Sequence, residues 1–170
     1  MTEQQKFDVI DRIGSVEIRK YHPCVMADVQ VDADYASAGS IGFGPLVNYI
    51  SQNRIAMTAP VVQEPAANGS WIVSFVMPDG MTLDSMPRPA NARVSLRTSP
   101  EHVAAALRFS GVTSTSRVQA KEKELREVLA ANKLDVTDIV RISRFDPPWK
   151  PGFLRHNEVV LPIAWPAKQR

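Results

Sequence analysis

Alternation of apolar and polar positions runs through most of the chain. In VEIRKY, residues 16 to 21, Val16, Ile18 and Lys20 fall on one side of an extended backbone, and Glu17, Arg19 and Tyr21 on the other. That period of two predicts a strand. FDVIDRI precedes it, and Gly14 marks the turn, so residues 7 to 21 read as a strand or a hairpin. CVMADVQV, residues 24 to 31, sets Val25, Ala27, Val29 and Val31 in register on one face. WIVSFVMP sets Trp71, Val73, Phe75 and Met77 against Ile72, Ser74 and Val76. Two further strands, joined near Ser99 and Pro100, are predicted in ARVSLRTSPEHVAAALRFSG. DIVRISRFD and EVVLPI supply the last ones.

A spacing of three and four residues appears twice. Leu46, Tyr49 and Ile50 predict a short helix beginning near Pro45. Gly39, Gly42 and Gly44 weaken a helix upstream, and proline is tolerated best in a first turn. SRVQAKEKELREVLAANK, residues 116 to 133, is the clearest helix. Ser116 with Gln119 fits a capping box, and Val118, Glu122, Leu125, Val128 and Leu129 form a stripe that is apolar except at Glu122. IAMTAPVV, residues 55 to 62, is expected as a strand. It would turn Ile55, Met57, Ala59 and Val61 one way and Ala56, Thr58, Pro60 and Val62 the other, with Pro60 at a sheet edge, a bulge or the strand's end. DGMTLDSMPRPANA reads as a crossover loop. The order strand, strand, helix, strand, strand thus occurs twice, as half-repeats over about 7–78 and 92–163. An α+β fold in a single domain over 1–170 follows, with antiparallel strands and one helix per half.

Composition narrows the function. At 170 residues the chain can bury a core without metals or disulfides. A formal charge of +2 without a contiguous basic run argues against nucleic acid as a partner. Cys24 stands alone, which excludes an intramolecular disulfide and zinc sites built from several cysteines. The polar N-terminus has no apolar signal region, and no later run has the length of a transmembrane helix. The expectation is a soluble cytoplasmic protein with no membrane partner. Nucleotide fingerprints, a Walker loop, a zinc-protease motif and a Gly-x-Ser-x-Gly elbow are all missing, so no reaction is assigned.

Two places carry candidate chemistry. His22 and Cys24 flank Pro23, and either could ligate iron or copper. The bland alternative makes Cys24 a small core residue and His22 its neighbour at the solvent end. His102, near the turn at Pro100, reads as a surface residue. The second place is PPWKPGFLRHN, which gathers Trp149, Phe153 and Leu154 with Lys150, Arg155 and His156. A flat hydrophobic ligand with carboxylates needs that mixture, its rings on the apolar side and its acids on the cations. The same residues also suit a proline-stiffened loop whose Trp149 and Phe153 close one end of a barrel.

VEIRKY, NRIAMTAPVV at 53 to 62 and PPWKPGFLRHNEVVLPI at 147 to 163, in this order, resemble the SOUL haem-binding protein family from about Phe7 to Ile163. The resemblance implies a distorted antiparallel β-barrel or curved sheet with two flanking helices, built from two pseudo-symmetric halves. It also implies a distant relation to small-molecule-binding domains of bacterial transcription regulators. The activity implied is reversible binding of haem or a related tetrapyrrole in a hydrophobic cleft, with haem loosely held. In one branch of the family a proposed axial His lies just before the Tyr of Glu-Ile-Arg-His-Tyr; here that position is Lys20. Lys20 suits a carboxylate better than iron, because its amine is protonated near neutral pH. His22 is the expected replacement as metal ligand. Arg54 could meet a propionate or simply pair with a nearby carboxylate, and Met57 could offer an adaptable surface to an aromatic plane, although core packing accounts for it equally well. The expected ligand-binding set is therefore His22, Lys20, Arg54, Met57, Trp149, Lys150, Phe153, Arg155 and His156. Two other readings stay open: a binding module for another amphipathic small molecule, and a protein-interaction scaffold using the Trp149 loop, whose protein partner the sequence does not name.

Overall fold

A computed structural model of the chain describes residues 2–147 and 149–165. In chain order the elements are β1 (Glu3–Gln4), β2 (Phe7–Ile13), β3 (Val16–Tyr21), β4 (Cys24–Val31), α1 (Tyr35–Gln52), β5 (Thr58–Ala59), β6 (Val61–Pro65), β7 (Trp71–Val76), β8 (Val94–Ser99), β9 (His102–Phe109), α2 (Thr115–Ala131), β10 (Arg141–Arg144) and β11 (Asn157–Pro162). The fold class is α+β, as expected. The long ladders within each unit are antiparallel, and the short β1 and β5 pair in parallel. No helix among the described residues is long and apolar enough to cross a membrane.

The chain forms two compact units. One comprises the residues through Lys6 together with His22–Glu101. The other comprises Phe7–Tyr21 together with the chain from His102 onward.

In the first unit the strand order is β6-β7-β4-β8. Val29 pairs with Val73 and Val94, and Ala27 with Phe75 and Leu96. Partners in a ladder share a face, so Val25, Ala27, Val29 and Val31 line up with Val73, Phe75 and Met77. Leu46, Tyr49 and Ile50 of α1 complete that core. The alternation seen in the sequence is thus the core of this unit.

The helix is longer than expected. It starts at Tyr35 rather than near Pro45, because the Asp34 carboxylate caps it by accepting from the Ser37 N–H at 2.9 Å. Its buried positions are Tyr35, Ala38, Gly42, Leu46, Tyr49 and Ile50. Gly42 belongs to that stripe: a Cβ there would stand 2.7 Å from the Val73 Cβ, so the glycine permits close approach of helix to sheet. Gly44 eases the passage through Pro45, since it lacks the Cβ that a following proline ring crowds.

IAMTAPVV is not one strand. Thr58–Ala59 pairs with β1, Val61–Pro65 pairs with β7, and Ile55–Met57 lies outside any strand. The Ile55 N–H is held by the Ile50 carbonyl at 2.8 Å at the end of α1, and Arg54 turns the chain there with φ 55°. Pro60 has no N–H for a ladder and stands between the two pieces, at a strand end as expected.

In the second unit the order is β2-β3-β9-β11-β10, and Gly14 at φ 58° turns the β2–β3 hairpin. β8 and β9 are consecutive yet belong to different units, β8 pairing with β4 and β9 lying between β3 and β11. On one face α2 packs with Val118, Leu125 and Leu129 buried. Ser114 caps this helix, its Oγ accepting from the Arg117 N–H at 3.3 Å. The expected cap, Ser116, therefore falls inside the first turn.

Candidate functional site

The other face of the second unit's strands carries charged side chains around a small apolar cluster of Tyr21, Ala104, Ala106 and Val160. Register places Glu17, Ala106, Val160 and Arg141 in one row, Arg19, Ala104 and Pro162 in the next, and Tyr21 with His102 in a third. Alanine at 104 and 106 leaves room for long side chains to cross between rows. Arg19 reaches the Glu158 carboxylate with two bonds, Nη1 to Oε1 at 2.6 Å and Nη2 to Oε2 at 2.8 Å. It also donates to Glu17 from Nε at 2.9 Å and to the Tyr21 hydroxyl from Nη1 at 2.9 Å, and its guanidinium lies 4.1 Å over the Phe7 ring. Only 6% of the Arg19 side chain and 2% of that of Glu158 is exposed, so this is a buried pair whose charges need each other.

His156 continues the network. Its Nε2 lies 2.8 Å from Glu158 Oε2, and its ring stacks on Phe145 at 4.1 Å. Burial alone would push Glu158 up, but the hydrogen bonds from His156 and Arg19 outweigh it and hold the carboxyl below its ordinary value. Asp146 follows the same logic. Burial raises it, while the Lys150 ammonium at 2.9 Å and the His156 N–H bring it down on balance. Arg155 donates from Nε to the Lys150 carbonyl at 2.7 Å.

Above these anchors the loop carries Trp149, Phe153 and Leu154, whose fractional exposures are 83%, 77% and 53%. Trp149 and Phe153 therefore project to solvent and do not close off a core. The Gly152 carbonyl accepts from the Gly111 N–H at 2.8 Å and brings the exposed Val112 beside the loop. A single exposed segment thus presents large apolar surface with Lys150 and Arg155 at its base.

Trp149, Lys150, Phe153, Arg155 and His156 are brought together, although His156 is turned toward Glu158 rather than outward. Lys20 is exposed and pairs with Asp8 and Val103, which puts it on the opposite face from Arg19 and Tyr21. His22, Arg54 and Met57 belong to the first unit. His22 is half-buried and lies outside both β3 and β4, so the alternation through Tyr21 does not extend to it. It sits near Asp79, whose carboxyl is lowered chiefly by Lys6 and slightly by His22. Arg54 is exposed, and Met57 is half-buried against the α1 core. Among the described residues, no three His, Cys, Asp or Glu side chains are grouped to hold a metal ion. A recess along α2, lined by Gln119, Glu122, Lys123 and Arg126, contains none of the candidates.

Arg19, Tyr21, Glu158, Arg141 and His102 were not singled out by pattern. His102 is half-buried rather than a surface residue. Its ring stacks on Tyr21 at 5.2 Å, and its Nε2 lies 2.8 Å from Arg141 Nη1. The signals available were the alternation of Glu17, Arg19 and Tyr21, and the spacing of two between His156 and Glu158.

A family model described as SOUL heme-binding protein matches residues 2–162. The chain belongs to that family. A search of curated proteins found no match for this SOUL protein. Among solved structures it is similar to the EcmrR C-terminal domain (TM-score 0.72, 12% identity, covering 88% of this chain and 96% of that one). A hydrolase from Listeria innocua is also similar (0.61, 13%, 91% and 94%). So is SAV2435, solved bound to tetraphenylphosphonium (0.52, 8%, 88% and 94%). At these identities the likeness is one of fold.

Proposed function

We propose that this SOUL protein binds haem or a related tetrapyrrole reversibly, with the rings against Trp149, Phe153 and Leu154 and the propionates on Lys150 and Arg155. The observation that carries the reading is the exposure of those three apolar side chains beside two cations in one loop of a SOUL chain. Apolar burial stabilises such a complex by roughly 25 cal/mol per Å², and charge-assisted bonds orient the acids. Haem is the proposed cofactor, loosely held. Separately from the loop, His22 is proposed as an iron ligand on the chemistry of its half-buried imidazole, the exposed Arg54 and Lys20 as carboxylate partners, and Met57 as a contact for a ring plane. The cytoplasm is the proposed compartment, which suits a chain with a single cysteine, Cys24.

A second reading, a site for another amphipathic small molecule, is favoured by lysine at position 20, where the axial histidine of one branch would stand. Tetraphenylphosphonium, the ligand of one structural relative, is a lipophilic cation; Lys150 and Arg155 favour an amphiphilic anion here.

Titration of the ligand-free protein with haemin, followed at the Soret band, tests the first reading. Saturation at one haemin per chain is expected. Trp149→Ala/Phe153→Ala should weaken binding at least about tenfold, a loss of about 1.4 kcal/mol, without lowering the melting temperature, since both side chains are exposed. His22→Ala should change the iron spectrum while leaving metal-free porphyrin binding intact. Flat titrations with both haemin and metal-free porphyrin would sink the tetrapyrrole reading and leave the second.

A further inference from the structure

The charged face of the second unit holds two arginines with different fates. Arg19 spends its donors on Glu158, Glu17 and Tyr21. Arg141 reaches over the alanine floor in the other direction, toward the row of Tyr21 and His102. Its guanidinium lies 4.8 Å over the Tyr21 ring, and its Nη1 meets His102 Nε2 at 2.8 Å. A guanidinium only donates, so His102 accepts through that nitrogen and is uncharged while the bond holds. Neither a neutral imidazole nor an aromatic face is an ion-pair partner, and the carboxylates of this face, Glu17 and Glu158, are bound by Arg19. No carboxylate among the described residues pairs with Arg141, and its Nη2 is sealed from water without a hydrogen-bond partner. It is the only buried side-chain nitrogen or oxygen among the described residues in that condition. A buried donor left unmade costs about 1–3 kcal/mol, and more when it is charged.

We propose that Arg141 is an anion seat: the Nε and Nη2 edge of its guanidinium receives the carboxylate of an organic acid, beside His102 and the Tyr21 ring. The planar fork matches the two oxygens of a carboxylate, which a compact ammonium would not. Arg141 as a whole is half-buried, so part of its side chain meets solvent, and the proposal requires a rotamer change that brings the sealed Nη2 edge to the ligand. This goes beyond the tetrapyrrole reading, since any organic acid of suitable shape qualifies, and a small-acid probe tests it separately.

The experiment is an NMR titration of the full chain, labelled with nitrogen-15 at arginine, with sodium propionate. The Arg141 Nε–Hε signal is assigned by its disappearance in Arg141→Lys. Sodium chloride at equal ionic strength and propionamide serve as controls. A saturable shift of the Arg141 signal with propionate alone is expected, accompanied by the His102 ring protons, with a midpoint on the order of millimolar for so small a ligand. No movement, or equal movement with chloride or propionamide, overturns the proposal. If Arg141→Lys does not fold, the Arg141 Nε–Hε signal is assigned in the wild type by its nuclear Overhauser contacts to the Tyr21 and His102 rings, and chloride and propionamide still control for charge and for the alkyl group. Haemin binding with a silent Arg141 would reject the seat and leave the tetrapyrrole reading standing; the converse result would reject only the latter.

Discussion

Glu158 lies between Arg19 and His156 with almost no contact with water, and each neighbour answers part of its charge. Glu158→Gln removes the charge and leaves Arg19 buried with only the half-exposed Glu17 to balance it. Breaking a buried pair on one side costs about 3–5 kcal/mol, so urea unfolding should show a loss near the lower figure. Arg19→Met/Glu158→Leu should recover most of it, because a well-packed apolar pair escapes the desolvation penalty. Acidity offers a second reading of the same residue. The Glu158 carboxyl is held below its ordinary 4.5 in the folded chain, so it contributes stability that is fully present above about that pH and is lost as pH falls through the depressed value. Glu158→Gln should therefore flatten part of the acid limb of the stability profile. An acid limb identical to that of the wild type would show that other carboxyls, Asp146 among them, carry it.

At the scale of the element, the alternating strands were legible because a strand's period survives any partner: Val25, Ala27, Val29 and Val31 needed no tertiary knowledge to be placed on one face. α1 is longer than its pattern suggests because Gly39, Gly42 and Gly44 weaken a helix on propensity and Pro45 reads as a first-turn residue. Gly42 is instead a contact residue, and its stripe with Tyr35, Ala38, Leu46 and Ile50 keeps helical spacing once glycine is allowed to be buried. Gly42→Ala separates the two views. On propensity alone the change stabilises a helix by about 0.8–1.0 kcal/mol. Packing says otherwise, since the new methyl would sit 2.7 Å from Val73 Cβ and 2.8 Å from its Cγ2, both on a core strand that cannot yield easily. Overpacking of this kind costs about 1–3 kcal/mol. A net destabilisation is expected in thermal melts. A higher melting temperature would mean that α1 lifts away from β7 at little cost.

The whole molecule was least legible, because strand pairing is non-local and a period of two names no partner. Tyr21 pairs with His102 and Glu17 with Ala106, and the Arg19–Glu158 pair closes over 139 residues of sequence. Nothing in VEIRKY announces that it pairs with a strand from the far half of the chain. The loop chemistry around Trp149 was legible since its residues are neighbours in sequence; the Arg19, Glu158 and Arg141 face was not, since they meet only through that pairing. The hairpin of β2 and β3 therefore has a role that can be tested by excision. The His22 N–H donates to the Lys6 carbonyl at 3.1 Å, so Lys6 can be joined directly to His22 with little movement of either. The excised chain keeps every strand of the first unit. The second unit loses the partner of β9, opening a row of unpaired backbone groups on that edge, and Glu158 loses Arg19 and its charge balance. Hydrogen exchange should then show β4 and β7 amides protected as before and those of β9 and β11 exchanging freely. Full protection of β9 and β11 in the excised chain would mean that the remaining strands and α2 hold the second unit without the hairpin, and that the buried pair is not what sets its stability.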